Sequence, residues 1–357
     1  MREKSSYQLA LADLAYAFGK PEMLGLLKNA PADFLVTELL EIEFSDQGEH
    51  VWLDITKTQQ STERVAKSLA RYAGVAYRDI GYAGMKDVYA VTRQWFSVWL
   101  PKNPNLDWGD FTMEGVEVNA IKKHHRKLKR GAHKGNQFLI KVTQTGGDLG
   151  GLESRVQQIQ RFGVPNYFGE QRFGRDASNL SKAESFFQRD LRIKDRNLKS
   201  IVLSAARSFL FNLVVSGRVS DQNWRELMVN EPASLNGGNS IFASKQEPEN
   251  LQRLQDLDIH PTAPMWGRGA ETSAVEYHAL FDWEISKLLE FDVLREGLER
   301  HGLEYQRRAL RCVPSSFKYQ VDEEEDVVFE FSLQSGQFAT SVLRELVCDP
   351  SIEGKAR

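Results

Sequence analysis

Residues 81–95 read GYAGMKDVYAVTRQW. They set a carboxylate, Asp87, next to an ammonium, Lys86, directly after a glycine turn and before a run of strand-forming residues. Turns use Asp for local hydrogen bonding, so on its own Asp87 is equally a residue that shapes the turn. The chemical reading requires an ionised carboxylate aimed at an electrophile. Aspartates are ordinarily ionised at neutral pH. A nearby ammonium, Lys86 or Lys28, would keep the group charged and oriented. A carboxylate of this kind can act as a covalent catalyst at an activated carbon without metal or cofactor.

Three other stretches carry recognition chemistry. Residues 122–134, KKHHRKLKRGAHK, hold seven Lys/Arg and three His with no acid. Lys127, Lys129 and Arg130 lie in this run, which leads into a strand bearing Asn136 and Phe138. Phosphate-directed charge beside an amide and an aromatic suits an unstacked base. Such a run is also compatible with a solvated face. Residues 166–176, NYFGEQRFGRD, offer Arg172 and Arg175 for phosphates and Tyr167 for stacking, or else form an aromatic turn at a domain junction. In LSAARSFLFN, residues 203–212, only Arg207 and Asn212 suggest contacts outside a core helix.

Several enzyme classes lack their signatures. The seven histidines form no HxxxH or HExxH pair, and there is no CxxC, so a zinc site is not expected. There is no phosphate-binding GxxxxGK[ST] or GxGxxG loop and no GxSxG elbow.

The elements that would hold these residues are legible from periodicity. HVWLDITKT alternates Val51, Leu53 and Ile55 with Trp52, Asp54 and Thr56, the pattern of a half-buried strand. STERVAKSLARYAG predicts a helix capped by Ser61 and stopped by Gly74. Strand texture follows Val91, and NQFLIKVTQT puts Phe138, Ile140 and Val142 on one face. PADFLVTE reads as a turn into an edge strand, with Phe34 in the core and Lys28 just before it. IVLSAARSFLFNLVVSGRV predicts a broadly apolar core helix, and FDWEISKLLEFDVLREGLERHG a second long helical region. VVFEFSL is a closing strand, followed by a turn at Gly336 and a short helix.

The β-rich start, helical middle and β-rich end predict two domains, with roughly 162–311 inserted into a domain made by the flanking segments. The chain has 357 residues and a formal net charge of −3. That total conceals polarity, because acids gather elsewhere, as in DEEED at 322–326. Two cysteines, Cys312 and Cys348, give no disulfide framework, which suggests structural thiols in a reducing cytoplasm. No stretch reads as a signal peptide or membrane span.

Taken in order, GLLKNAPADFLVTE, GYAGMKDVYAVTRQW, HHRKLKRGAHKGNQF, VPNYFGEQRFG, LSAARSFLFN and SGQFATSVLREL resemble the TruD family of tRNA pseudouridine synthases. The likeness runs from about residue 24 to 347 and is weakest over 217–267. It implies an α+β fold: a pseudouridine synthase catalytic domain with a mixed, mostly antiparallel sheet, formed by 1–161 and 312–357. An α/β TRUD domain, 162–311, is inserted into it. The implied activity is isomerisation of uridine to pseudouridine at position 13 of tRNA, on a flipped-out nucleotide and with no cofactor consumed. Asp87 corresponds to the catalytic aspartate. Phe34, Asn136, Phe138 and Phe338 correspond to substrate contacts, and Lys28 to a lysine near the aspartate. The implied partner is tRNA, with no obligatory protein partner and no membrane. The competing reading is a non-catalytic RNA-binding or RNA-chaperone protein, against which the intact Asp87 element argues.

Overall fold

The computed structural model describes residues 4–350 apart from 104, 239 and 324. Glu324 of the acidic run and the outermost ends of the predicted terminal domain therefore lie outside the described residues.

The first part of the chain lays down β1 (Met23–Leu27), β2 (Phe34–Leu39), β3 (His50–Thr58), β4 (Ile80–Tyr82), β5 (Val91–Trp99), β6 (Val116–His124) and β7 (Gly135–Gly147). The middle adds β8 (Val164–Pro165), β9 (Pro232–Leu235), β10 (Ile241–Ala243), β11 (Ile259–His260), β12 (Thr262–Met265), β13 (Gln306–Ala309) and β14 (Arg311–Cys312). The end supplies β15 (Ser315–Val321) and β16 (Val327–Gln334). The main sheet runs β15-β16-β7-β2-β5-β3-β6, with β1 also on β7 and β4 on β5. Only the β2–β5 pairing among these is parallel, so the sheet is mixed and mostly antiparallel and the fold is α+β.

The long strand β7 organises the site. β16 pairs along one of its edges, from Val142 to Gly135. Its other edge is shared: β2 pairs with Ile140 to Gly135, and β1 with the later residues. Lys28 and the Pro31–Asp33 turn bridge β1 and β2, and Lys28 takes a left-handed φ of 56°. The edge-strand reading of PADFLVTE is thereby corrected, since β2 lies between β7 and β5. Pro31 precedes the strand and removes no ladder donor from it, so a central position is open to it.

The helix Thr62–Ala73 forms as its sequence predicts. Ser61 accepts the Arg64 N–H, and Gly74 closes the helix at φ 65°. Val65, Ala66, Leu69 and Ala70 are buried against Val51, Leu53, Ile55, Phe96 and Val98 of the sheet. Complete burial of each Val or Leu contributes about 1.5–3 kcal/mol. β3 is not half-buried: Trp52 and Asp54 on its second face are 2% and 3% exposed. Trp52 packs there with Ala83, Leu128 and Phe44. The loop holding Leu128 covers that face, which strand periodicity does not reveal.

A second core lies between β7, β16 and the helices Leu152–Phe162 and Ala339–Arg344. The helical middle has its own core around Arg196–Ser220. That 25-residue helix is long and apolar enough to cross a membrane, but Val202, Ala205, Ala206, Phe209 and Leu210 are buried inside the protein. Tyr7 and Leu14, from the N-terminal segment, pack into the same helical core. The second predicted long helix is interrupted: His278–Ser286 and Asp292–Arg300 are separated by a short 3-10 turn, Leu289–Phe291. The chain enters and leaves the middle segment side by side, with Val164 opposite Cys312 and Pro165 opposite Arg311.

Candidate active site

Asp87 sits in the loop between β4 and β5. Its Oδ2 accepts from Lys28 Nζ at 2.7 Å, and its side chain remains 38% exposed. The Lys28 ammonium also lies 4.1 Å from the centroid of the Phe34 ring. A cation held between a carboxylate and an aromatic face fixes the direction of the carboxylate while leaving it open to solvent.

The backbone around Asp87 is braced. Lys86 N–H donates to Thr62 Oγ1 at 3.1 Å, and Thr62 Oγ1 in turn donates to Gln94 Oε1 at 2.9 Å. Gln94 Nε2 donates to the Gly84 carbonyl at 3.2 Å. Lys57 Nζ donates to the carbonyls of Gln60, at 2.7 Å, and Asp87, at 3.1 Å. Lys57 is 1% exposed. Burial lowers its pKa from 10.5 to about 8, against the pull of the Asp87 charge and with the push of Lys86.

Lys86 turns inward. Its Nζ lies 3.2 Å from Glu38 Oε2 and donates to Asn136 Oδ1 at 2.6 Å, with side-chain exposures of 5% for Lys86 and 0% for Glu38. Glu38 Oε1 accepts the Trp95 N–H at 3.1 Å. Burial lowers the Lys86 pKa and Glu38 opposes that shift. Lys86 therefore faces neither phosphate nor solvent. It ties Asn136 of β7 to the Asp87 loop, opposite Glu38 in the β2–β7 register.

Lys28, Phe34, Asp87, Asn136 and Phe138 come together here. Phe34 and Phe138 are only 3% and 7% exposed. Phe138 stacks on Phe331 at 5.4 Å and meets Phe34 edge-on at 6.2 Å. Phe338 stands in a second group beyond the end of β16. Its ring is 5.6 Å from Phe168, with the Arg172 and Arg308 guanidinium groups about it at 6.0 and 5.9 Å. Arg172 is half-buried and donates to Ser204 Oγ at 3.2 Å, whereas Arg175 is exposed beside Asp176.

The basic run packs against the Asp87 loop. Leu128 N–H donates to Ser97 Oγ at 2.9 Å, and Gly131 N–H to the Ala83 carbonyl at 2.8 Å. The Arg130 guanidinium lies 3.7 Å from the Tyr82 ring centroid, Lys127 donates to the Arg78 carbonyl, and Lys129 is exposed. Gly81 faces this loop rather than a ligand: a Cβ there would stand 2.3 Å from the Leu128 carbonyl oxygen.

Packing overturns the stacking role expected of Tyr167, and it turns the contacts of Asn212 and Arg207 outside their helix toward other parts of the protein. Tyr167 is 3% exposed and its hydroxyl donates to the Ala15 carbonyl at 2.9 Å, so no face is open for stacking. Asn212 is fully buried and brackets the Phe168 backbone with two hydrogen bonds. Arg207 donates to the carbonyls of Met265 and Glu304. Lys57 and Glu38 were missed as site residues. Lys57 left one signal, since it continues the inward series Val51, Leu53, Ile55, where a lysine is out of place unless its ammonium has a task.

A mixed, mostly antiparallel sheet thus carries a solvent-reachable, lysine-oriented carboxylate on a braced loop. Comparison with known proteins narrows the class. The family described as tRNA pseudouridine synthase D (TruD) matches over residues 11–182 and 177–346. Relatives named tRNA pseudouridine synthase D include one from Hydrogenovibrio crunogenus, 38% identical over 338 residues, covering 95% of this chain and 97% of the relative. One from Methylococcus capsulatus is 43% identical over 336 residues, covering 94% of each. A crystal structure assigned to tRNA pseudouridine synthase D from Methanosarcina mazei shares the fold. Its TM-score is 0.73 at 18% identity, over 96% of this chain and 98% of that one. The chain belongs to the TruD family of tRNA pseudouridine synthases.

Proposed function

We propose that this protein isomerises uridine to pseudouridine in tRNA, at position 13, with Asp87 as the catalytic residue acting on a flipped-out nucleotide. The observation that carries this reading is the Lys28–Asp87 pair, a solvent-reachable carboxylate held at 2.7 Å by an ammonium on a backbone fastened at several points. The N1–C1′ bond breaks, the uracil turns, C5 bonds to C1′, and the proton leaving C5 is balanced by one gained at N1. Asp87 assists by attack at C1′ or C6, or by taking the C2′ proton. Each route asks for a fixed, ionised carboxylate and for no cofactor. Asn136, held by Lys86, offers its amide to a base edge.

The tRNA is engaged through Lys127, Lys129, Arg130, Arg172 and Arg175, whose charge offsets the few kcal/mol needed to unstack a nucleotide. Lys28, Phe34, Phe138 and Phe338 complete the substrate site. Residues 1–161 and 312–357 form the catalytic domain around an inserted 162–311. The paired strands β8 and β14 at the crossing points support that division. The N-terminal helix Ser6–Ala12 docks on the inserted part. The enzyme works in the cytoplasm, with no membrane and no obligatory protein partner.

The test is Asp87→Asn with tRNA tritiated at uridine C5. The variant should keep its thermal stability and tRNA affinity and release no tritium while wild type does. Appreciable release by the variant would remove Asp87 from the chemistry. Tight tRNA binding with no release by either protein would favour the non-catalytic RNA-binding reading.

A further inference from the structure

The loop that carries Asp87 is braced at several backbone groups and exposes several of its side chains. The Gly84 carbonyl, the Lys86 N–H and the Asp87 carbonyl are bonded by Gln94, Thr62 and Lys57, and Ala90 N–H donates to the Val88 carbonyl at 3.0 Å. Over the same span Met85 is 58% exposed, Val88 50% and Tyr89 46%. The Tyr89 hydroxyl donates to the carbonyl of Asn29, the residue after Lys28, at 3.2 Å.

A single exposed apolar side chain needs no explanation. Met85, Val88 and Tyr89, three within the five residues that also hold Asp87, form an exposed apolar patch beside the carboxylate. The aromatics expected to stack on substrate do not supply it, because Phe34 and Phe138 are nearly buried and Phe138 already stacks on Phe331. Drawing a nucleotide out of a stack leaves a gap between its neighbours, and proteins that open base steps commonly fill that gap with apolar side chains. The adjoining basic loop, with exposed Lys129 and Arg130, supplies charge complementary to the phosphates on either side.

We propose that Met85, Val88 and Tyr89 form a wedge that enters the stack vacated by the extruded uridine, with the Tyr89 ring against a flanking base. The partner surface is thus the pair of nucleobases next to the target. This rests on the RNA-directed reading above.

The experiment is single-turnover pseudouridine formation by the full chain on two tRNAs, one intact and one with abasic residues on both sides of the target. The variants are Met85→Ser/Val88→Ser/Tyr89→Ser combined, and Tyr89→Phe alone. On intact tRNA the combined variant should be slower by about tenfold or more, the scale of one lost base stack. On abasic-flanked tRNA it should match wild type. Tyr89→Phe, which keeps the ring and loses only the hydroxyl's bond to the Asn29 carbonyl, should slow intact tRNA far less than the combined variant and leave abasic-flanked tRNA unchanged. Unchanged melting temperatures would show that the exposed residues leave the fold intact. Equal slowing on both substrates would overturn the wedge in favour of a role in positioning Asp87, and no slowing on intact tRNA would also overturn it. Absence of product from wild type would overturn the pseudouridine reading itself, and the wedge with it.

Discussion

Lys86 and Asp87 are neighbours in the chain and send their charges to different places. The Lys86 ammonium is buried between Glu38, at 3.2 Å, and Asn136, at 2.6 Å, while the Asp87 carboxylate stays partly open against Lys28. Facing a carboxylate that is fully buried, Lys86 leaves an uncompensated charge if it is removed. Lys86→Met should therefore destabilise the protein by about 3–5 kcal/mol, read by chemical denaturation. Adding Glu38→Leu should restore only part of that stability, because it removes the orphaned charge but leaves the Trp95 N–H without its acceptor. Activity should not return, since Asn136 has lost the group that sets it. Recovery of turnover in the double variant would mean that the pair serves only the fold.

Lys57 makes a pH-dependent contribution. Burial lowers its pKa to about 8 from the ordinary 10.5. Between those values the unfolded chain keeps the proton and the folded chain does not, so this group makes stability rise with pH across that window. Lys57→Met should remove that rise. Activity should move the opposite way. Above about pH 8 the donor on the Asp87 carbonyl loses its charge and its hydrogen bond weakens, so wild-type kcat should decline there. The variant should start lower and lack the decline. A decline that survives in Lys57→Met belongs to another group.

Much of this site was legible because its charged members sit in short motifs. Asp87 meets Lys28, and Asn136 reaches the same loop through Lys86. What could not be read is what crosses between motifs. Lys86 meets Glu38 because β2 and β7 pair in one particular register, a long-range fact. Phe34 was legible as a core ring and is one, whereas nothing in the sequence shows that Phe138 is covered by Phe331 from the closing strand. Tyr167 is closed off by Ala15, more than a hundred residues away. The helix Thr62–Ala73 was recoverable to its caps, because both capping and amphipathic spacing are local.

Gly81 shows the same limit and yields its own prediction. Glycine beside the Asp87 loop suggests room for a ligand, yet a Cβ at Gly81 would stand 2.3 Å from the Leu128 carbonyl and 2.5 Å from Ser97 Oγ. Gly81→Ala should push the basic loop off its hydrogen bond to Ser97. The expected loss is about 1–3 kcal/mol of stability, with weaker tRNA binding. Gly84→Ala should be milder, because the nearest atom is a His133 ring carbon at 3.3 Å. Equal effects of the two substitutions on stability and affinity would refute the packing role given to Gly81.

Within the basic run, Lys129 is exposed, Lys127 is tied to the Arg78 carbonyl and Arg130 lies on Tyr82. If Lys129 meets a phosphate, Lys129→Gln should lower the slope of log affinity against log salt by about one, by removing one released counterion. Neutralising Lys127, Lys129 and Arg130 together should lower it further, with affinities converging on wild type at high salt. The rate of the chemical step on saturating tRNA should change little, because none of the hydrogen bonds that brace Asp87 comes from these side chains. Fluorescence titration of tRNA across a salt series, paired with single-turnover rates, separates the two effects. An affinity that ignores the triple change would leave this run as a solvated face and move the RNA path elsewhere on the protein.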